Sequence, residues 1–269
     1  MIDWLLEPFS LALQQRALVA GLLAALITAV VGTWVVIRGM TFMGDALVHG
    51  VVPGIALSVI FGFSPLIGAA VAAAAMVGGI NLVHRRGAFG EDTGIGLLFV
   101  GMLALGVILL SRTGSYAGTL NSILFGDALG VTTADVVVLA VVTLVAVTVS
   151  LVGYRALLVL SFNEAKAELL GFRPALTHAV LLGLITVAVV GSFRTVGTLL
   201  AFGLLVGPPA TAALLVRRVP TMMATAALIG GGCVVTGLVL SYWLETAASA
   251  TIALTSIVVF FAVLLARRR

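Results

Sequence analysis

The chain has 269 residues, of which 62% are hydrophobic and 9% charged. A soluble globule of that balance could not cover its surface with polar groups, so the composition excludes one and points to a chain that crosses a membrane several times. The formal net charge of +4 reads as the cytoplasmic bias of a membrane protein, with no nucleic-acid partner expected.

Met1 to Gln15 is mildly amphipathic and is expected at a membrane surface. Acidic Asp3 and Glu7 stand where a leader would carry basic residues, which argues against a cleaved signal peptide. Apolar runs follow at Ala17 to Ile37, Ala46 to Gly62, Leu66 to Val83, Gly94 to Leu110 and Ala134 to Gly153. Four more lie at Ala175 to Phe193, Thr195 to Val216, Met222 to Trp243 and Ala250 to Ala266. Each approaches the roughly 20 residues that span hydrocarbon. The prediction is an all-α, polytopic transmembrane helical bundle of about eight or nine spanning helices. If the runs alternate, Arg38, Arg85, Arg86, Arg155, Lys166, Arg173, Arg217, Arg218 and the terminal arginines share one side, which the positive-inside rule makes cytoplasmic. Small residues such as Gly68 to Ala75 and Gly230-Gly231-Gly232 suit close helix packing.

The second run opens on Gly44-Asp45-Ala46-Leu47-Val48-His49-Gly50-Val51-Val52-Pro53-Gly54. On a helix, Asp45 and His49 lie one turn apart on one face. Both are ordinary metal ligands, and an ionisable side chain inside a membrane is costly. The pair reads either as a metal contact or as a polar helix-packing contact at headgroup level.

Between two runs, Ser161 to Gly171 reads as a short helix, with Ser161 and Glu164 at capping-box spacing, Gly171 at its stop and Pro174 beyond. It is either a docking element for a cytoplasmic motor or a connector. Pro208 and Pro209 each remove a backbone donor, so a break or kink is expected beside them. The loop from Ser111 to Thr133 contains an apolar stretch, Ser122 to Phe125, that suggests partial re-entry or a docking surface. Asp127 in that loop and Asp135 just beyond it offer carboxylates that could attract cations, with solvated loop positions as the plainer reading. His178 is expected to pack or sit at the interface, His84 to be a loop residue, and Cys233 to be a buried small hydrophobe. No Walker A pattern is present, so ATP hydrolysis is not expected of this chain, and no H-E-x-x-H marks an intramembrane zinc protease. Acidic residues within the runs are too sparse for a typical proton-coupled relay.

GDALVHGVVPG, preceded by Arg38-Gly39-Met40-Thr41-Phe42-Met43, resembles the hallmark of the metal-ion permeases of ATP-binding-cassette importers. Further segments agree in order: Glu91-Asp92-Thr93-Gly94-Ile95, Ile123 to Val136, Ala167-x-x-x-Gly171, and Gly207-Pro208-Pro209-Ala210-Thr211-Ala212. The family pattern is departed from at Pro209, usually alanine, and at Ser249-Ala250-Thr251, where a proline is common. The resemblance implies a single transmembrane permease domain over residues 1–269, in a bacterial cell (inner) membrane, with a short cytoplasmic coupling helix. It implies a homodimer with a second copy, a dimer of cytoplasmic ATP-binding subunits, an extracytoplasmic solute-binding protein and surrounding membrane lipid. It also implies that Asp45 and His49 contact the divalent ion in transit. No catalytic residue and no cofactor are expected; the metal ion, zinc or manganese, is the transported substrate. A permease for metal chelates or cobalamin and a gradient-driven secondary transporter stand as the rival readings.

Overall fold

The computed structural model describes residues 7–86, 91–111 and 130–267, among which there is no strand. After a 3-10 turn at Glu7–Ser10, the helices are α1 Ala12–Ile37, α2 Thr41–Gly50, α3 Val52–Phe61, α4 Pro65–Arg86 and α5 Glu91–Ser111. They continue with α6 Thr133–Val152, α7 Tyr154–Phe162, α8 Glu164–Leu169, α9 Pro174–Leu215, α10 Val219–Leu244 and α11 Ala248–Arg267. Among the described residues, seven helical stretches are long and apolar enough to cross a membrane, α2 and α3 together counting as one, and two shorter apolar ones accompany them at Pro65–Ile80 and Leu199–Leu215. These correspond one for one to the runs predicted from the sequence. The bundle is the all-α polytopic fold expected.

The centre of the bundle is α1. Of its most apolar window 72% is buried, against 22% for α5 and for α6. From Ala24 to Val35 nearly every position is covered, which is the pattern of a helix with neighbours all round. It packs against α9, α10 and α6. Lipid tails are as apolar as leucine, so association here depends on close fit rather than on escape from water. The buried side of α1 is accordingly rich in small residues, among them Ala20, Gly21, Ala24, Ala25, Ala29 and Gly32. Trp34, fully buried, donates its indole N–H to Ser150 Oγ at 2.8 Å, and its ring meets Tyr154 at 5.6 Å. One indole thus ties α1 to the ends of α6 and α7, with its polar atom satisfied.

The prolines in α9 act differently from the expectation. No break occurs at Pro208 or Pro209; the non-helical residue is Gly197, at φ 75° and ψ 172°. That region is essentially restricted to glycine, so it is Gly197, rather than Arg194 or the prolines, that divides α9 into Pro174–Ser192 and Leu199–Leu215. Pro209 lacks the N–H that would bond the Leu205 carbonyl four residues back. That carbonyl faces α1 so closely that a Cβ on Gly32 would fall on it. Glycine is required there by contact, and its Cα–H groups face an oxygen that the proline has left short of a donor.

A second break positions the site. Pro53 has no N–H for the carbonyl of His49, and the N–H of Val51 turns to that carbonyl instead. The predicted single run therefore becomes two consecutive helices, α2 and α3, joined at Val51. Beyond the join, α3 is locked to α4: a Cβ on Gly54 would strike the Gly68 carbonyl, and one on Gly68 would strike that of Gly54. Small residues read from the sequence as packing positions serve as such here.

Candidate functional site

Six of the ten residues of α2 are buried: Met43, Gly44, Ala46, Leu47, Val48 and Gly50. Thr41, Phe42, Asp45 and His49 are left as one stripe facing off the core. Helical periodicity produces this, since positions 41, 45 and 49 recur every four residues. His49 Nε2 lies 3.5 Å from Asp45 Oδ1, and each side chain is about one quarter exposed, 25% and 26%. The structure thus brings the two predicted ligands together. Among the described residues no group of three or more His, Cys, Asp or Glu gathers anywhere, so the pair stands without a third such donor. A closed structural zinc site takes four ligands.

Aromatic rings wall the pair on one side. Phe99 of α5 meets the His49 ring at 5.8 Å with the planes at 67°, and meets Phe42 at 6.2 Å and 63°. His49 Nδ1 is buried and has no hydrogen-bond partner among the described residues. Sequence reasoning missed Phe99: one phenylalanine in an apolar run carries no signal until the helices are paired.

The other predicted element is α8. Its N-cap is Asn163, whose Oδ1 accepts from the Lys166 N–H at 2.9 Å. The capping box expected from Ser161 and Glu164 does not form; Ser161 Oγ donates to the Leu157 carbonyl, because Ser161 lies inside α7. At the far end the Gly171 N–H reaches the Glu168 carbonyl at 2.9 Å and the Phe172 N–H reaches Ala167 at 3.0 Å. With Gly171 at φ 79° this is a complete Schellman closure at the glycine named from the sequence. Ala167 points inward and is 1% exposed, whereas Leu169 is 86% and Leu170 63% exposed. Phe162 adds a third bare apolar side chain. These three were not singled out by sequence reasoning, which weighed the charges of the segment instead. An open cleft lined by Glu168, Phe172 and Arg173 lies beside them.

The remaining expectations resolve quietly. Asp135 completes a capping box with Thr132 at the start of α6, a structural use for that carboxylate. Asp127 and the stretch Ser122 to Phe125 lie outside the described residues, as do the side chains of His84, Arg85, Arg86 and Glu164, but the backbone of His84 lies in the last turn of α4 and not in the loop expected. His178 is half-buried, and Cys233 is a buried free thiol in α10, as expected.

A bundle of apolar spans with one broken span carrying an ionisable pair, and a capped two-turn helix between spans, defines a membrane-embedded transport subunit. The chain belongs to the ABC 3 transport family, whose model matches residues 10–267. It is a multi-pass cell-membrane protein that transports rather than catalyses, with ATP hydrolysis in a separate subunit. It is 34% identical over 247 residues to the "Manganese transport system membrane protein MntC" of Listeria monocytogenes, covering 92% of this chain and 88% of that one. It is 30% identical over 266 residues to the "Probable iron transport system membrane protein" of Haemophilus influenzae, covering 99% and 97%. The solved "PsaBC from Streptococcus pneumoniae in complex with Fab" superposes with a TM-score of 0.88 at 31% identity, covering 98% of this chain and 95% of that one. The resemblance read from GDALVHGVVPG and its companion segments is borne out.

Proposed function

We propose that residues 1–269 form the permease domain of an ATP-driven importer for a divalent metal ion, and that Asp45 and His49 bind that ion in transit. The observation that carries this reading is the open stripe on α2. A carboxylate and an imidazole, 3.5 Å apart, face away from the core within a membrane span. Lipid is a poor neighbour for both, whereas a cation and its water shell are a good one. Asp45 acts as a carboxylate donor and His49 as a neutral imidazole donor.

Two donors per chain suit either of two arrangements. A two-fold axis brings a pair from each of two copies together, or water completes a weaker site within one copy. The homodimer is the arrangement favoured here, because the open stripe then meets protein instead of lipid. The exposed Leu169 and Leu170 beside α8 form the surface on which the ATP-binding subunit docks. A solute-binding protein delivers the ion to the opposite face. Carboxylate plus imidazole serves manganese, zinc and iron alike. Among the relatives, those named for manganese transport make manganese the first candidate.

The test is uptake into vesicles that hold the permease with its ATP-binding subunit, supplied with manganese, zinc or a metal chelate. ATP-dependent uptake of the free ion, with competition among the metals, is the expected result. Uptake that persists without the ATP-binding subunit contradicts the reading, as does a preference for the chelate.

A further inference from the structure

We propose that Phe99 is a positioning residue of the transit site: it fixes which face of the Asp45/His49 pair a cation can reach and keeps His49 a weak, releasable ligand. The proposal rests on the reading of that pair as the transit ligands.

Three observations carry it. The first is height. Phe42 and His49 are seven residues apart, about 10.5 Å along a helix at 1.5 Å per residue. The Phe99 ring lies 6.2 Å from one and 5.8 Å from the other, which sets it between them, alongside Asp45. Phe99 therefore lies beside the stripe at the level of Asp45, whose side chain stays 26% exposed. The second is orientation. The imidazole turns Nε2 toward Asp45 at 3.5 Å, and the tilted Phe99 ring packs against it. Only Nε2 is then placed to share a cation with the carboxylate. The third is what Nδ1 lacks. Metal-bound histidines almost always donate their second N–H to a carboxylate, carbonyl or water, which raises ligand basicity. Here Nδ1 is buried with no carboxylate or carbonyl partner among the described residues, on a ring that packs against Phe99. Packing, not hydrogen bonding, holds the ring. A ligand held in this way has the correct direction and reduced strength, which suits an ion that must leave again.

Two variants separate these roles. Phe99→Leu keeps the site apolar but lets the imidazole turn. Phe99→Gln offers Nδ1 an acceptor. The probe is Mn2+, titrated into the permease assembled with its ATP-binding subunit in lipid nanodiscs and read by the loss of its free-ion EPR signal, alongside uptake kinetics in vesicles. Expected for Phe99→Leu is a dissociation constant raised about tenfold, with a raised KM. Expected for Phe99→Gln is a dissociation constant lowered about tenfold, within the 10- to 100-fold range of such support, and a lower maximal uptake rate. Opposite shifts are what lost packing alone does not produce; two shifts of the same sign, or none, overturn the proposal. Asp45→Asn and His49→Ala are measured beside them. If these lose binding while the Phe99 variants match the wild type, Phe99 is ordinary packing and the pair remains the site. If these too bind normally, it is the assignment of the pair that fails.

Discussion

The open stripe on α2 and the short helix α8 are built in opposite ways. Within α8 the chain supplies its own hydrogen-bond partners: Asn163 closes one end, and Gly171 with Phe172 closes the other. Around Asp45 and His49 the chain leaves its own chemistry unfinished. There are two donors, a weak contact of 3.5 Å between them, and a ring nitrogen without a partner among the described residues. A segment complete in itself presents a rigid surface to something else. A segment left incomplete is finished by what it binds. The proposed function makes the first a lever for a partner subunit and the second a way station for an ion.

The comparison breaks most sharply at His49. Replacing it by alanine removes one of two donors, and metal uptake should fall by more than about 100-fold, the upper end of what weakening a ligand's support costs. Insertion and assembly should persist, because His49 lies off the buried face of α2. Retained uptake at normal expression removes the functional half of the contrast. At α8 the expected effects are smaller and of another kind. Leu169→Asp puts a charge into the most exposed apolar position of the segment and should weaken binding of the ATP-binding subunit by about tenfold or more, roughly 1–2 kcal/mol. Co-purification and the stimulation of ATP hydrolysis by the permease report this; unchanged values return the patch to a plain surface. Gly171→Ala keeps the helix but strains its stop, costing about 1–2 kcal/mol for a left-handed residue with a Cβ. Its signature is ATP hydrolysis that continues with less uptake per turnover. Asn163→Ala, the mildest, forfeits one cap at about 1 kcal/mol. It should sharpen the comparison by lowering coupling without touching metal affinity.

The contrast also explains what was legible in the sequence. Every span was readable, because about 20 apolar residues in a row leave few alternatives. The αL stop at Gly171 was readable for the same local reason. Asp45 and His49 could be placed on one face from their spacing alone. The errors came where two local signals competed or where partners are distant. Ser161 and Asn163 are both good caps, and the extension of α7 through Phe162 decided for Asn163. Pro208 and Pro209 looked like breakers, yet the bend fell to Gly197, and the helix ran on with Leu205 pressed against Gly32. That contact joins residues far apart in the chain. Phe99 was invisible for the same reason. Its role depends on α5 lying beside α2, which no spacing within either helix encodes.

The central claim is that the α2 pair carries the ion. It is tested most directly by Asp45→Asn, which keeps the shape of the side chain and removes its charge. Permease and ATP-binding subunit are reconstituted in one vesicle preparation, and manganese uptake and ATP hydrolysis are measured together. Uptake at background with ATP hydrolysis still present is the predicted result. Uptake equal to that of the unsubstituted permease contradicts the assignment and leaves Asp45 and His49 as a packing contact.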